Sequence, residues 1–481
     1  MKKLGSTKMA CLVFAFCAAT AIASPAQTFT TLANFSSTGG YTPNPGLVQG
    51  FSGNFYGTTY QSDGTNGLGT VFEITASGGL STLNGFDYSD GAQPLAGLLQ
   101  ASNGNFYGTA NLGGTNSAGT VFEVTPTGTL TALYNFCSVI SSQGLCGDGL
   151  SPAAGLVQAS NGNFYGTTAT GGDGAGVGGT VFEITPAGKL TTLHSFCSQY
   201  PLCGTDGMNP RGLMQATDGS FYGITYGGGA NGHGIVFKIT PAGELTTIYS
   251  FCALTNCTDG GTPAGLVQAT SGNFYGTAIG GGFYNSTNCH VSGCGTIFEM
   301  TPAGRLTTLH TFHSTDGAGP EALLQATDGN FYGITVTGGT NDEGTVFEIT
   351  AAGTLTKLHT FDGIDGQYPD GLVQATDGSF YGTSAQGGVN EVGVVYSLSV
   401  GLGPFVETLP TAGKVGAKVL ILGNNLTGTT SVTFNGTAAT FTVVSNTEIK
   451  VSVPTGATTG TVKVTSPSGT LSSNVRFRVA R

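Results

Sequence analysis

The sequence has no tryptophan, and charged residues make up only 9% of its 481 positions. About 25% is ordinary for a soluble domain. After residue 26, no apolar run approaches the roughly 18 residues that a membrane-spanning helix needs. With 18 prolines the chain also lacks the composition of collagen. These features exclude a spanning helix and a collagen fibre, and the lack of tryptophan argues against a dedicated carbohydrate-binding groove.

Glycine and aromatic residues are abundant instead. The chain holds 82 glycines, 29 phenylalanines and 17 tyrosines, and 39% of its residues are hydrophobic. Such a chain can bury a core, which excludes wholesale disorder. We therefore expect the glycines in turns, and many turns imply many short strands. The length indicates two or more domains or one large repeat architecture.

The first 26 residues are typical of an export signal. Lys2, Lys3 and Lys8 precede an apolar run from Met9 to Ala23, and small residues follow it. We predict a signal peptide over 1–26, with cleavage after Ala23 or Ala26. The mature protein is then expected to be secreted, periplasmic or held at the cell surface.

Eight cysteines remain after that signal and form four close pairs along the chain. The pairs are Cys137 with Cys146, Cys197 with Cys203, Cys252 with Cys257, and Cys289 with Cys294. Thiols oxidise outside the cytoplasm, so we predict four local disulfides, while the sequence alone leaves the connectivity open. Zinc binding is the alternative, weakened because only the last pair has an adjacent histidine, His290.

A repeat of about fifty residues organises residues 27–400. Its Phe-Tyr-Gly motif occurs seven times, at Tyr56, Tyr107, Tyr165, Tyr222, Tyr275, Tyr332 and Tyr381. An apolar segment and an Asn-Gly or Asp-Gly turn generally precede the motif, and two further strand-like segments follow it, as at 179–185 and 190–196. Four such segments per repeat predict a seven-bladed β-propeller. We interpret the tyrosines as packing between blades.

The two ends of the repeat array indicate that the ring closes on itself. The seventh repeat lacks its fourth segment, whereas residues 28–35 match that segment. We predict that this N-terminal strand completes the outer edge of the last blade.

Strand order predicts tight turns on one face and long, glycine-rich, cysteine-bearing loops on the other. Binding residues usually lie on such loops. Asp-Gly pairs recur in the blade-to-blade loops, at Asp90, Asp148, Asp206, Asp259, Asp316 and Asp365. We interpret them as turn formers, with Ca²⁺ coordination as the less favoured alternative, and predict no cofactor.

No catalytic constellation stands out among the recurring polar residues. His194, His310 and His359 occupy one column of the repeat, and so do Glu73, Glu123, Glu183, Glu299 and Glu348. Residues that are equivalent by repeat lie on separate blades, so neither set is expected to converge. The weak catalytic candidates are non-equivalent loop carboxylates, Asp173, Asp342, Glu343 and Glu391. Their convergence at the mouth of the channel would indicate a polysaccharide lyase or glycosidase.

Charge and composition change after residue 400. Residues 27–400 hold 5 basic and 24 acidic residues, whereas residues 401–481 hold 7 basic and 2 acidic ones. The acidic part disfavours nucleic acid and anionic lipid as partners. The opposite charges favour docking between the two parts.

Residues 401–481 are predicted to form a small immunoglobulin-like sandwich. Strand-like segments occur at 418–422, 431–434, 439–444, 448–453 and 460–464. The order Pro-Thr-Ala-Gly-Lys-Val, then Ser-Val-Thr-Phe-Asn-Gly, then Gly-Thr-Val-Lys-Val-Thr resembles the IPT/TIG family over 404–479. That resemblance implies a spacer or interaction module without an active site.

The repeats resemble the bacterial tandem-repeat family called GloVer over 28–400. The resemblance rests on the Phe-Tyr-Gly-Thr, Gly-Thr-Val-Phe-Glu-Ile-Thr and Leu-Thr-Thr-Leu segments. It implies a surface or secreted protein of undetermined activity, often with a C-terminal anchor. Only Ala480 and Arg481 follow Val479 here, so a sorting tail is not expected.

These observations favour a secreted, non-catalytic binding or scaffold protein, with an extracellular polysaccharide lyase or glycosidase as the alternative. We expect its loop-rich face to bind an extracellular or cell-envelope protein or polysaccharide, with the immunoglobulin-like module as spacer or interaction module. The chain is expected to be a monomer.

Overall fold

The computed structural model describes residues 27–36, 39–43, 46–62, 67–173, 176–197, 205–284, 289 and 293–480. The predicted signal peptide, Cys203 and His290 lie outside the described residues. The described regular structure is almost entirely β-strand, with a 3₁₀ turn at Thr255–Cys257. None of the described segments is a helix long and apolar enough to cross a membrane. The predicted all-β fold class is confirmed.

Successive antiparallel sheets, numbered here 1 to 7 in chain order, follow the repeats. Sheet 1 contains Tyr41–Pro43, Val48–Gln49, Phe55–Gln61, Thr70–Ile74 and Leu80–Gly85. Sheet 2 contains Leu99–Gln100, Phe106–Ala110, Thr120–Val124 and Leu130–Asn135. Sheet 3 contains Val157–Gln158, Phe164–Thr168, Thr180–Ile184 and Leu190–Ser195. Sheet 4 contains Met208–Gln215, Phe221–Gly227, Ile235–Ile239 and Leu245–Ser250.

The remaining sheets repeat this order. Sheet 5 contains Gly261–Gln268, Phe274–Gly280, Thr296–Met300 and Leu306–Thr311. Sheet 6 contains Ala318–Gln325, Phe331–Thr337, Thr345–Ile349 and Leu355–Thr360. Sheet 7 contains Gln367–Gln374, Phe380–Gln386, Val394–Ser399 and the N-terminal strand Thr28–Asn34. Four-stranded antiparallel sheets of this kind fit the blades of a β-propeller.

The N-terminal strand joins the last repeat. Thr28–Asn34 pairs antiparallel with Val394–Ser399, and Phe29 lies opposite Leu398. The Phe29 ring also stacks on His359 of sheet 6, with centroids 3.6 Å apart. The first described strand of the chain is thereby fixed to both of the last two sheets.

The hydrophobic core lies between neighbouring sheets. Phe182 of sheet 3, for example, packs in one buried cluster with Tyr107 and Phe136 of sheet 2. The glycine of the Phe-Tyr-Gly motif permits this packing, because a Cβ on Gly166 would stand 2.6 Å from Cζ of Phe182. Glycine is therefore required where the large ring crosses the second strand.

Two belts of contacts join each sheet to the next. In the first, the tyrosine of one sheet packs on the phenylalanine of the following sheet. Ring centroids lie 4.0–4.4 Å apart in the pairs Tyr56–Phe106, Tyr107–Phe164, Tyr165–Phe221, Tyr222–Phe274, Tyr275–Phe331, Tyr332–Phe380 and Tyr381–Phe55. The interpretation of these tyrosines as packing residues is supported, and the final pair returns to sheet 1.

The second belt is made of glutamines at the end of each first strand. The Oε1 atom of each glutamine accepts a backbone N–H from the turn of the preceding sheet. The bonds are Phe51 to Gln100, Ser102 to Gln158, Ser160 to Gln215, Thr217 to Gln268, Thr270 to Gln325, Thr327 to Gln374 and Thr376 to Gln49. The last bond, 2.9 Å long, links sheet 7 to sheet 1. The hydrogen-bond belt therefore runs through the sheets and returns to its start.

The strand directions define two faces. We call the face with the connections between first and second strands and between third and fourth strands the turn face. We call the opposite face, with the connections from second to third strand and from sheet to sheet, the loop face. Turn-face hairpins are tight, as in Ala216 to Ser220, where Gly219 has φ +86°.

The C-terminal residues form the predicted immunoglobulin-like domain. One sheet contains Glu407–Leu409, Lys418–Leu422, Glu448–Ser452 and Phe441–Val443. A second contains Thr437–Ala438, Ser431–Phe434, Val462–Ser466 and Gly469–Ser472, and Ala412–Lys414 pairs in parallel with Arg478–Ala480. The strand predicted over 439–444 is shorter, Phe441–Val443, because the chain crosses from the second sheet to the first at 439–440.

The immunoglobulin-like domain lies against the turn face. Phe405 N donates to Thr376 O at 3.0 Å, and Thr447 Oγ1 donates to Phe51 O at 2.6 Å. Asn424 Nδ2 adds a bond of 2.7 Å to Thr376 Oγ1. Among the described residues, hydrogen bonds and not ion pairs join the two parts.

Candidate functional site

The polar residues near the turn face are bonded within their own sheet. In sheet 2 the Tyr107 hydroxyl donates to Glu123 Oε1 at 2.6 Å, and Asn105 Nδ2 donates to the same oxygen at 2.7 Å. Burial raises the pKa of Tyr107 to about 12, and the bond to Glu123 adds to the effect, so the hydroxyl remains a donor at neutral pH. Equivalent tyrosine–glutamate bonds occur in sheets 1, 3 and 5. These glutamates therefore have a structural role.

Sheet 4 uses a different pair at the same place. Lys238 stands where sheets 1, 2, 3, 5 and 6 have glutamate, and its Nζ donates to Asp218 Oδ2 at 2.8 Å. The hydroxyl of Tyr222 also bonds to Asp218, at 3.3 Å. The change of charge on the third strand is thus matched by a carboxylate on the neighbouring turn.

The recurring aspartates of sheets 2 to 6 bond to a histidine or tyrosine on the loop side of the sheet. His359 Nε2 lies 2.8 Å from Asp365 Oδ2, and the Tyr134 hydroxyl donates to Asp148 at 2.7 Å. His194 and His310 make the equivalent contacts with Asp206 and Asp316. Each of these aspartates bonds to the outermost strand of its own sheet, which supports a structural interpretation.

Three disulfides close loops on the loop face. They join Cys137 to Cys146, Cys252 to Cys257 and Cys289 to Cys294, as predicted. The fourth predicted pair includes Cys203, which lies outside the described residues. His233 lies beside the second bridge, with its ring nitrogen within 4.8 Å of both sulfurs. Because those sulfurs are bonded to each other, they are not free thiolate ligands for zinc.

The loop face also carries the exposed hydrophobic residues of the repeat region. Ten large hydrophobic side chains in described residues 27–399 are 37–74% exposed: Tyr88, Val139, Ile140, Val177, Tyr226, Leu254, Phe283, Tyr284, Ile364 and Val389. All of them lie in loop-face connections or at the loop end of a second strand. Exposed apolar groups scattered singly need no explanation, but their confinement to one face marks a candidate interaction surface.

The first strands approach one another around the axis of the ring. A Cβ on Gly265 of sheet 5 would stand 2.6 Å from the backbone oxygen of Glu321 in sheet 6. A Cβ on Gly46 would stand 3.3 Å from Cα of Gly97, so sheets 1 and 2 are also in close contact. The first strands of neighbouring sheets therefore lie side by side around the axial channel.

One position of the first strand breaks the repeat. The residue after the strand's proline is apolar in sheets 2, 3 and 5, at Leu95, Ala153 and Ala264. In sheets 4, 6 and 7 it is charged, at Arg211, Glu321 and Asp370. The guanidinium of Arg211 lies over the ring of the exposed Tyr226, 4.9 Å from its centroid, and so connects this position to the loop face.

Burial shifts the pKa values of the two carboxyl groups at this position. Burial raises the pKa of Asp370 well above its ordinary value, and the charge of Glu321 raises it further. Burial also raises the pKa of Glu321, against a smaller opposing effect of Arg211. The hydroxyl of Tyr396, which replaces the usual phenylalanine, is buried and has no hydrogen-bond partner among the described residues. One side of the channel therefore concentrates polar groups.

The four loop carboxylates suggested by the sequence lie elsewhere. Asp173 is exposed in sheet 3, Asp342 and Glu343 are neighbours in sheet 6, and Glu391 is exposed in sheet 7. Asp342 Oδ1 accepts the N–H of Gly338 at 2.9 Å, which closes its own loop. Asp342 and Glu391 occupy corresponding loop positions, with φ of 63° and 60°. These carboxylates belong to the loops after the second strands and not to the strands that line the channel.

The channel residues Arg211, Glu321 and Asp370 were missed by sequence reasoning, although a signal for them was present. When the repeats are aligned on their prolines, the next position is apolar in some sheets and charged in others. The glutamine belt was missed for another reason. Each glutamine bonds to a backbone N–H of a different repeat, and no side-chain pattern specifies such a partner.

Comparison with known families identifies both parts of the chain. The Gloeobacter/Verrucomicrobia repeat matches residues 17–146, 138–290 and 281–439, and the IPT/TIG domain matches residues 405–479. Both suspected resemblances are confirmed. No curated protein gives a significant match.

Two solved structures are similar to this chain to different degrees. The extracellular domain assigned to a one-component system from B. thetaiotaomicron has a TM-score of 0.51 at 10% identity, covering 95% of this chain and 58% of that chain. A protein assigned as a 6-phosphogluconolactonase from Bacteroides uniformis has a TM-score of 0.44 at 15% identity, covering 67% and 86%. The chain thus spans little more than half of the first structure, and such low identity shows the fold alone.

Proposed function

The chain belongs to the Gloeobacter/Verrucomicrobia repeat family, and on that premise we propose that it is a secreted, non-catalytic binding protein. Its loop face binds an extracellular or cell-envelope partner, and its immunoglobulin-like domain serves as a spacer or interaction module. The observation that carries the proposal is the confinement of the ten exposed hydrophobic side chains to the loop face.

The physical argument rests on what these side chains gain from a partner. Burying apolar surface contributes roughly 25 cal/mol per Å², so several such side chains supply useful affinity when covered together. Val139 and Ile140 lie between Cys137 and Cys146, and Leu254 lies between Cys252 and Cys257. The bridges restrict these loops before binding, which reduces the ordering cost of association.

The position of the second domain supports this use of the loop face. The immunoglobulin-like domain contacts Thr376 and Phe51 on the turn face, so it leaves the opposite face open. The aliphatic members of the exposed set favour a protein surface over a glycan, because their side chains offer no hydrogen-bonding group to a sugar. Disulfides are typical of proteins outside the cytoplasm, which supports an extracellular site of action.

Binding to isolated cell-envelope protein and polysaccharide fractions tests the proposal. The double variant Val139→Ser/Ile140→Ser removes apolar surface from one stapled loop and leaves its cysteines in place. We expect it to weaken binding at least tenfold, because each side chain is worth about 1 kcal/mol or more when buried. Surface plasmon resonance with the mature chain gives the dissociation constants.

Val415→Ser/Val444→Ser is the matched control. Both valines are exposed, at 49% and 47%, but they belong to the immunoglobulin-like domain. This variant should bind as the unchanged protein does. Equal binding by both double variants and the unchanged chain would contradict a role for the 137–146 loop, and binding lost only in the control would place the partner on the immunoglobulin-like domain.

A further inference from the structure

A cavity lies between the turn face and the immunoglobulin-like domain, on the side of the ring opposite to the loop face. Its volume is about 660 Å³, within the range of 300–1,000 Å³ that is usual for small-molecule sites. Turns of sheets 4, 5 and 6 form one wall, and Thr411, Asn474, Arg476 and Arg478 belong to the other. Ligand sites occur preferentially at such domain boundaries.

The charge of the cavity is positive. Arg476 and Arg478 are the ionisable members of its described lining, and no acidic residue is among them. Within the described chain, no hydrogen bond or ion pair engages either guanidinium. The nearest turn, at Gly219, carries Asp218, but that carboxylate is already paired with Lys238 at 2.8 Å. Two guanidinium groups are therefore available to a ligand.

The opposite wall offers hydroxyl groups and apolar surface. Thr217 and Thr270 use their backbone N–H groups in the glutamine belt, and their hydroxyls make no bond within the described chain. Met214 and Val267 supply apolar atoms between them. A sugar ring combines hydroxyls with apolar C–H faces, so it matches this wall better than a simple anion does.

We propose that this cavity binds a small hydroxylated carboxylate, such as a uronic acid unit of an acidic polysaccharide. A guanidinium group can hold a carboxylate through two parallel hydrogen bonds, which suits Arg476 and Arg478. The ligand hydroxyls bond to Thr217 and Thr270, and the ligand joins the immunoglobulin-like domain to the ring. This site is independent of the loop face, so either proposal can fail without the other.

Calorimetric titration of the mature full-length chain tests the assignment. Glucuronate is the probe, glucose tests the need for the carboxylate, and inorganic phosphate tests the need for the sugar. We expect measurable binding of glucuronate, at least tenfold weaker binding of glucose and of phosphate, and loss of affinity as salt increases. Equal affinity for phosphate would overturn the saccharide assignment, equal affinity for glucose would overturn the anionic one, and no binding of glucuronate would overturn the site.

Variants from both walls locate the binding. Arg476→Gln/Arg478→Gln should weaken glucuronate binding at least tenfold, since bonds to charged groups are the stronger ones. Thr270→Val keeps the side-chain shape and the backbone bond to Gln325, and should weaken binding about threefold. Lys463→Gln, an exposed cation of the same domain, should leave it unchanged.

Circular dichroism confirms that each variant is folded before it is titrated. Unchanged affinity in the double arginine variant would overturn the proposal, as would an equal loss in Lys463→Gln. An effect of the arginines without any effect of Thr270→Val would contradict a ligand held between the two domains.

Discussion

The turn face and the loop face are built from the same repeats, yet they differ in how regularly the repeat is kept. On the turn face, glutamines, tyrosines and their partners recur from sheet to sheet and are bonded within the ring. On the loop face, connections vary in length, carry the disulfides and expose the large hydrophobic side chains. Regular positions thus hold the ring together, whereas the irregular ones are free to serve binding.

The largest effect is expected from breaking the tyrosine–phenylalanine belt. Tyr107→Ala removes a side chain that is 1% exposed, together with its packing on Phe164 and its bond to Glu123. Truncating a buried aromatic residue costs about 3–5 kcal/mol. Chemical denaturation followed by circular dichroism should show a loss of that size in the free energy of unfolding of the ring.

Ile140→Ala is the matched loop-face variant, because its side chain is 59% exposed. It should change the free energy of unfolding by no more than about 0.5 kcal/mol. Similar losses for the two variants would contradict the division of roles between the faces.

The second prediction concerns a bridge of the loop face. Cys137→Ser/Cys146→Ser opens a loop with a sequence separation of 9 residues. The chain-entropy estimate for so short a loop is below about 3 kcal/mol, so the ring should remain folded. Binding of the loop-face partner should fall more steeply than thermal stability, since the bridge orders Val139 and Ile140.

Thermal unfolding and the binding assay on the same preparation give both quantities. Cys252→Ser/Cys257→Ser provides a second bridge for comparison. Unfolding of the whole ring at ordinary temperature in either variant would show that the bridge holds the fold and not only its loop.

The repeat made most of the ring predictable from sequence. The strands Thr180–Ile184 and Leu190–Ser195 follow from segments that recur in the other repeats, and the pairing of Thr28–Asn34 with sheet 7 follows from the missing fourth segment. A segment that recurs in several repeats can be assigned as a strand even where one copy alone would be ambiguous. Attention to the shared pattern also hid the exceptions. Asp370 and Glu321 stand out only when each repeat position is compared for residues that differ from the other copies.

The relation of the two domains was less predictable. Opposite net charges suggested docking, but the contacts that form are hydrogen bonds from Phe405, Asn424 and Thr447 to turn-face atoms. Two of these bonds end on backbone oxygens. Backbone acceptors are present in every turn, so the sequence does not distinguish the turns that the second domain selects.

The third prediction asks whether every link of the glutamine belt is equivalent. Gln49→Ala removes the link between sheets 7 and 1, and Gln100→Ala removes the buried link between sheets 1 and 2. Each leaves a backbone N–H without its glutamine acceptor, which costs about 1–2 kcal/mol. Equal losses in denaturation midpoints are expected for a closed ring. A negligible effect of Gln49→Ala beside a clear effect of Gln100→Ala would contradict closure.

The smallest effect on stability is expected at Asp370, a charged residue in the axial channel where other repeats have an apolar one. It is also the one substitution of this series that we expect to stabilise the protein. Burial raises the pKa of Asp370 above its ordinary value, with Glu321 adding to the effect. The folded chain then holds this proton more tightly than the unfolded chain does. The stabilising contribution is complete below the unfolded pKa of about 4 and is lost as the pH rises through the folded pKa.

Asp370→Asn removes this charge while keeping the side-chain shape. The variant should therefore melt above the unchanged protein by a few degrees at most, and the difference should grow as the pH is raised from about 4. Melting curves followed by circular dichroism across this range measure it, with the exposed Asp173→Asn as a control that should show no such trend. A variant that is less stable at every pH would show that the Asp370 carboxylate stabilises the ring in its charged form. The charged residues of the channel would then resemble the bonded polar pairs of the turn face. Their difference from the other repeats would have a structural role, as it has for Lys238 and Asp218.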